Sequence, residues 1–157
     1  MSMMRPRVPD ERGQGPLVPA RGQVRRLVLG GVGGGVVARS RDFTRQALVD
    51  WGWLPATTAT AKAVVEDVLL VVSELVTNAC LHAGGPLELR LHYAGSFLRL
   101  EVSDGSPVAP RPRTPHRIGS PGGHGMYIVE RLSHAWGVQE HDDGSGKTVW
   151  ADLMPAV

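Results

Sequence analysis

Residues 61–85 read AKAVVEDVLLVVSELVTNACLHAGG, and the way their apolar and polar positions repeat decides what the rest of the chain can be. Val65, Val68, Val72, Leu75, Val76, Ala79 and Ala83 recur at three- and four-residue spacing, which lays one apolar band along a helix and predicts a core-facing element over the stretch. On a second face Glu74, Asn78 and His82 each stand four residues apart, so a carboxylate, an amide and an imidazole stack along one groove. An ordinary solvated face would be rich in Lys, Arg and Glu. Between Glu66-Asp67 and the helix end, however, Glu74 is the only acid and there is no base. Asn and His are weak helix formers, which suggests that they are placed for what they bind. Cys80, the single cysteine, cannot close an internal disulfide and is expected as a small core residue beside the band, in a reducing compartment.

A chain of 157 residues suits one domain, large enough to bury roughly two thirds of its unfolded surface. No apolar run reaches the roughly 18 residues that span a bilayer. The nearest, Leu27 to Ala38 behind Arg25-Arg26, contains five glycines and makes a poor signal-peptide core, so a cytoplasmic protein without membrane contact is expected. The formal charge of +2 invites a nucleic-acid role, but the bases are nearly all Arg and scatter. Trp51-Gly52-Trp53 has no basic residue close by in sequence, and no direct nucleic-acid binding is expected.

Residues 1–22 carry Pro6, Pro9, Pro16 and Pro19 with no apolar period and are expected as a disordered Pro/Arg-rich leader, leaving 23–157 as the domain. Val24 to Leu29 reads as a strand, Gly30 to Gly35 as a turn, and about Ala38 to Trp51 as a helix stopped by Gly52. The turn lacks the Lys-Ser or Lys-Thr of a P-loop. Gly33, Gly35 and Ala38 fit a loose G-x-G-x-x-A, but no strand-helix-strand series follows and the ribose-binding acid is missing, so a flexible turn is expected.

After Gly84-Gly85-Pro86 the period becomes two. Leu87, Leu89, Leu91 and Tyr93, then Ala94-Gly95-Ser96, then Leu98, Leu100 and Val102 describe an antiparallel hairpin with one buried face, Arg99 and Glu101 turning outward. It ends at Asp104-Gly105, where a carboxylate can accept a directed hydrogen bond and the glycine admits a ligand to the backbone, although Asp-Gly is also a common turn. The Pro-rich stretch 107–124 reads as a lid or a disordered loop. Gly119-Ser120-Pro121-Gly122-Gly123-His124-Gly125 then opens a helix from Met126 to Trp136. Its first amides favour an anion such as phosphate, with His124 as a further donor, unless the glycines are a plain linker. Val138 to His141 and Lys147 to Leu153 form a second hairpin with Thr148 as the polar residue of its return strand. No Cys/His cluster, G-x-S-x-G or H-E-x-x-H is present, so structural zinc and hydrolase triads are unsupported.

The order of these pieces resembles the Bergerat ATP-binding domain shared by sensor histidine kinases, type II topoisomerases and Hsp90, and most closely its anti-sigma-factor serine kinase branch. Glu74-Leu75-Val76-Thr77-Asn78-Ala79 with His82-Ala83 is similar to the N box, Val102 to Pro107 to the first glycine box, Gly123-His124-Gly125-Met126 with Ile128-Val129 to the second, and Gly146 to Trp150 to the final strand. The resemblance implies a two-layer α/β sandwich, a mixed, mostly antiparallel sheet with helices on one face, and ATP and Mg2+ as cofactors. It implies Glu74 as general base, Asn78 as ligand to Mg2+, and Asp104 as acceptor of the adenine amino group with Thr148 in support. Gly105, Gly119, Gly122, Gly123, Gly125 and Met126 would line the nucleotide, with His82 and His124 near the phosphates. One departure stands out: Asp104-Gly105-Ser106-Pro107-Val108 lacks the D-x-G-x-G spacing of the broader family. No phosphoacceptor His segment, receiver or sensor precedes the fold, so an intact histidine kinase is not expected. The implied function is an anti-sigma factor with Ser/Thr kinase activity toward an anti-sigma antagonist, the alternative being a non-catalytic, nucleotide-dependent module for a sigma factor or other partner. A homodimer is left open.

Overall fold

The computed structural model describes residues 22–31, 34–108 and 124–156. The leader expected over 1–22 thus lies outside the described residues except for Gly22, as does most of the lid. Eight elements follow in order: β1 (Gln23–Val28), α1 (Val36–Asp50), α2 (Ala59–His82), β2 (Pro86–Tyr93), β3 (Leu98–Asp104), α3 (His124–Leu132), β4 (Ala135–Glu140) and β5 (Lys147–Leu153).

The band on α2 forms the centre of the molecule. Thr58 caps the helix, its Oγ1 accepting the Ala61 N–H at 3.0 Å, and Gly84 ends it with φ of 74°, a left-handed turn that favours glycine. Val65, Val68, Val72, Leu75, Val76 and Ala79 are buried against one sheet face made by Leu89, Leu91, Leu98, Leu100, Val102, Val149, Ala151 and Leu153. Ala47 and Leu48 of α1 and Met126 and Val129 of α3 complete the core. Inside α1 the buried Ser40 and Thr44 hydroxyls donate to the carbonyls of Val36 and Ser40, four residues back, so neither is orphaned. The architecture is the expected two-layer α/β sandwich with helices on one face.

The strand order is β1-β2-β3-β5-β4, and each described pair is antiparallel rather than the mixture expected. The crossover through α3 does bring β4 back parallel to β3. The β4–β5 hairpin then places β5 between them, so that relation is not a hydrogen-bonded pair.

Three local expectations are corrected. The third helix stops at Leu132 instead of running to Trp136: the Ser133 N–H closes the last turn on the Val129 carbonyl, the His134 N–H reaches the Asp152 carbonyl at 2.8 Å, and Trp136 pairs with Ala151 in β4. Cys80 is exposed, not a core residue. It follows Ala79 by about 100° around the helix, which carries it past the sheet-facing band. Arg99, expected to face outward into water, is only 4% exposed: its guanidinium forms a bidentate pair with Asp152 at 2.7 and 2.8 Å and lies over the Trp150 ring, 4.2 Å from the centroid.

The middle of that second sheet face is polar, and Val24 and Val28 of β1 are exposed at its edge. Burial pushes the Glu88 carboxyl up, but hydrogen bonds from Arg26 and Arg90 outweigh it and hold the group below its ordinary value. Among the described residues no helix is long and apolar enough to cross a membrane.

Candidate nucleotide site

The polar stripe of α2 and the end of β3 supply the candidate site. Glu74 is half-buried, Asn78 is 7% exposed one turn further on, and His82 is exposed as the last residue of the helix. No described residue gives the Asn78 amide a hydrogen-bond partner, and its polar atoms are not among the fully enclosed unpaired ones, so the amide is open to a ligand although the residue as a whole is buried. An amide oxygen of this kind suits a hard cation that takes its remaining ligands from phosphates and water. Among the described residues no three His, Cys, Asp or Glu side chains cluster as a protein-only metal cage would require.

Asp104 closes β3 and is 1% exposed. Its Oδ1 accepts two hydrogen bonds, one from the Ser106 N–H at 2.9 Å and one from the Lys147 ammonium at 3.0 Å. Lys147 opens β5, is itself 2% exposed, and also donates to the Ser106 carbonyl at 3.0 Å. The carboxylate is therefore held by both neighbouring chain segments. Charge pairing offsets the desolvation that would otherwise keep a buried Asp and a buried Lys out of the interior.

Thr148 does not stand beside Asp104. In the β3–β5 register Asp104 faces Lys147, and Thr148 faces Ser103 on the opposite side of the sheet, where its hydroxyl bonds His141 Nε2 at 3.0 Å. Together with Glu88, Arg90, Glu101, Ser103 and Gln139 it lines a cleft of about 310 Å³ on the face away from the helices. Thr148 is accordingly replaced by Lys147 as the partner of Asp104. The signal was present: Val149, Ala151 and Leu153 alternate toward the core, and the same two-residue period continues to Lys147.

Gly146 makes the close approach of the two strands possible. A Cβ there would lie 2.0 Å from the Asp104 carbonyl oxygen and 2.8 Å from Gly105 Cα, and its φ of 153° is unfavourable for other residues. Gly146→Ala should therefore lower stability by at least about 2 kcal/mol, several degrees in a thermal melt. A variant that melts with the wild type would show that this strand junction can open without loss.

Gly119 and Gly122, and Gly123 of the second glycine box, lie outside the described residues. His124 and Gly125 open α3, and Met126 follows with its side chain fully buried in the core, so Met126 can meet a ligand only through its backbone. Gly105 is exposed beside Asp104, as an approach to the backbone requires. Helix α3 packs along α2, which brings the second glycine box to the helix that carries Glu74 and Asn78.

An antiparallel sheet roofed by helices, with a buried carboxylate at one strand end and a polar stripe along the central helix, defines a nucleotide-binding α/β sandwich. The family model of the histidine kinase-like ATPase domain matches residues 37–153, ending on the last residue of β5, and the chain belongs to that family. No curated protein matches it. Membership makes the chain an ATP-binding protein of regulatory ATPase type, a class that generally takes ATP with Mg2+.

Proposed function

We propose that this chain is an anti-sigma factor with Ser/Thr kinase activity, transferring the γ-phosphoryl of ATP to a hydroxyl of an anti-sigma antagonist. The observation that carries it is the pairing of Glu74 with Asn78 one turn apart on a single helix, α2, whose opposite side is fixed in the core. Phosphoryl transfer depends mainly on positioning and charge, and one rigid helix holds a proton acceptor and a metal-binding amide in register. In this site Asn78 would hold Mg2+ through its side-chain oxygen, Asp104 would accept the adenine amino hydrogen, and the amides opening α3 would meet the phosphates. Bound Mg2+ supplies charge neutralisation on the phosphates. Glu74 would orient the incoming hydroxyl and take its proton.

A non-catalytic module that holds a sigma factor in a nucleotide-dependent way is the second reading. It is favoured by one observation: Asp104 is already engaged by Lys147 and by Ser106, in a glycine box that departs from D-x-G-x-G. The two are separated by capturing partners from the native host with the full chain, adding labelled ATP, and mapping the label. A kinase labels a Ser or Thr of the captured antagonist; a chain that retains a sigma factor under ATP and labels nothing is the binding module.

A further inference from the structure

Lys147 and Asp104 leave two hydrogen-bonding positions unused at the same buried point. An ammonium has three N–H donors, and the described residues give Lys147 two acceptors, Asp104 Oδ1 and the Ser106 carbonyl. Both hydrogen bonds that Asp104 accepts fall on Oδ1, so Oδ2 keeps its lone pairs. Both side chains are almost completely removed from water, at 3% and 2% exposed, yet Asp104 Oδ2 is not among the fully enclosed unpaired atoms, so the little surface that the pair keeps leaves this acceptor open to a ligand. Their chemistry is complementary to one edge of adenine, which offers an amino donor at position 6 and a bare nitrogen acceptor at N1.

Resting on the ATP-binding role given above, we infer that Lys147 is a second base-reading residue: its third N–H donates to adenine N1 while Asp104 Oδ2 accepts from the 6-amino group. Neither group then has to be released for the base to bind, because Oδ1 continues to hold the ammonium. The pair also rejects guanine twice. Guanine turns a carbonyl oxygen toward the carboxylate and an N1–H toward the ammonium, acceptor against acceptor and donor against donor. Thr148 contributes nothing to this selectivity, since it lies across the sheet.

The test is calorimetry of the full chain in Mg2+ with ATP and with 1-deaza-ATP, in which N1 is replaced by C–H. Loss of one charge-assisted hydrogen bond should weaken 1-deaza-ATP about ten- to a hundredfold relative to ATP. Lys147→Met should bind the two nucleotides alike, a result that a purely structural lysine would not produce. The wild-type comparison stands by itself if the Met variant does not fold. Equal binding of the two nucleotides by wild type overturns the role of Lys147 and leaves ATP binding intact, and so does discrimination that persists in Lys147→Met. Wild type that binds no ATP overturns the ATP-binding role and this one with it.

Discussion

Glu74→Gln is expected to reduce phosphoryl transfer to the captured antagonist by about a hundred- to ten-thousandfold while ATP affinity barely changes. The substitution keeps the size of the side chain and its place on α2, half-buried one turn before Asn78, and removes its negative charge and with it the ability to take a proton. The nucleotide contacts proposed for Asn78, for Asp104 and for the start of α3 are untouched. The loss should therefore fall on turnover and not on binding, as expected when a group acts in the transition state alone. Labelled ATP with wild-type and Glu74→Gln protein, beside calorimetry on both, separates the two. Equal labelling by the variant would remove Glu74 from the chemistry.

Asp104→Ala is expected to have the largest effect on the protein as a whole, because it strikes the fold and the site together. It leaves the Lys147 ammonium 2% exposed and without its carboxylate. Removing one member of a buried pair typically costs about 3–5 kcal/mol, which for a domain of this size lowers the melting temperature by roughly 10 °C. ATP binding should be lost as well, but in the single variant the two effects are confounded. The double variant Asp104→Ala with Lys147→Met separates them, since replacing both members by apolar groups is often close to neutral. It should regain most of the lost stability and none of the lost affinity. Recovery of both would mean that Asp104 serves the fold and not the nucleotide.

The central helix and both hairpins were legible because each rests on a single strong period: 3.6 residues for Val65 to Ala79, two for Leu89 to Val102 and for Val149 to Leu153; Leu87, expected on the buried face, is exposed beside a shift in register between Pro86 and Glu88. At the candidate site Glu74 and Asn78 stood out because local structure alone gave little reason for them, whereas Asp104 sits in a common Asp-Gly turn and stood out only through the family resemblance. What failed were choices between neighbours that only tertiary packing makes. Ala135 and Trp136 continue a helical spacing, yet hydrogen bonds to β5 draw them into a strand. Cys80 is one position from the buried Ala79 and still reaches the surface. Arg99 reads as a solvated position until Asp152 and Trp150, fifty residues on, close over it. Lys147 was passed over because a lysine is so seldom buried; only the register with Asp104 reveals its partner.

The claim that this fold holds an adenine nucleotide at Asp104 is tested most directly by calorimetry of the full chain with ATP, ADP and GTP in the presence of Mg2+. ATP and ADP should bind, and GTP should bind at least about tenfold more weakly, since its base places a carbonyl where adenine has an amino group. A protein that takes up none of the three, or GTP as tightly as ATP, contradicts an adenine site at the end of β3.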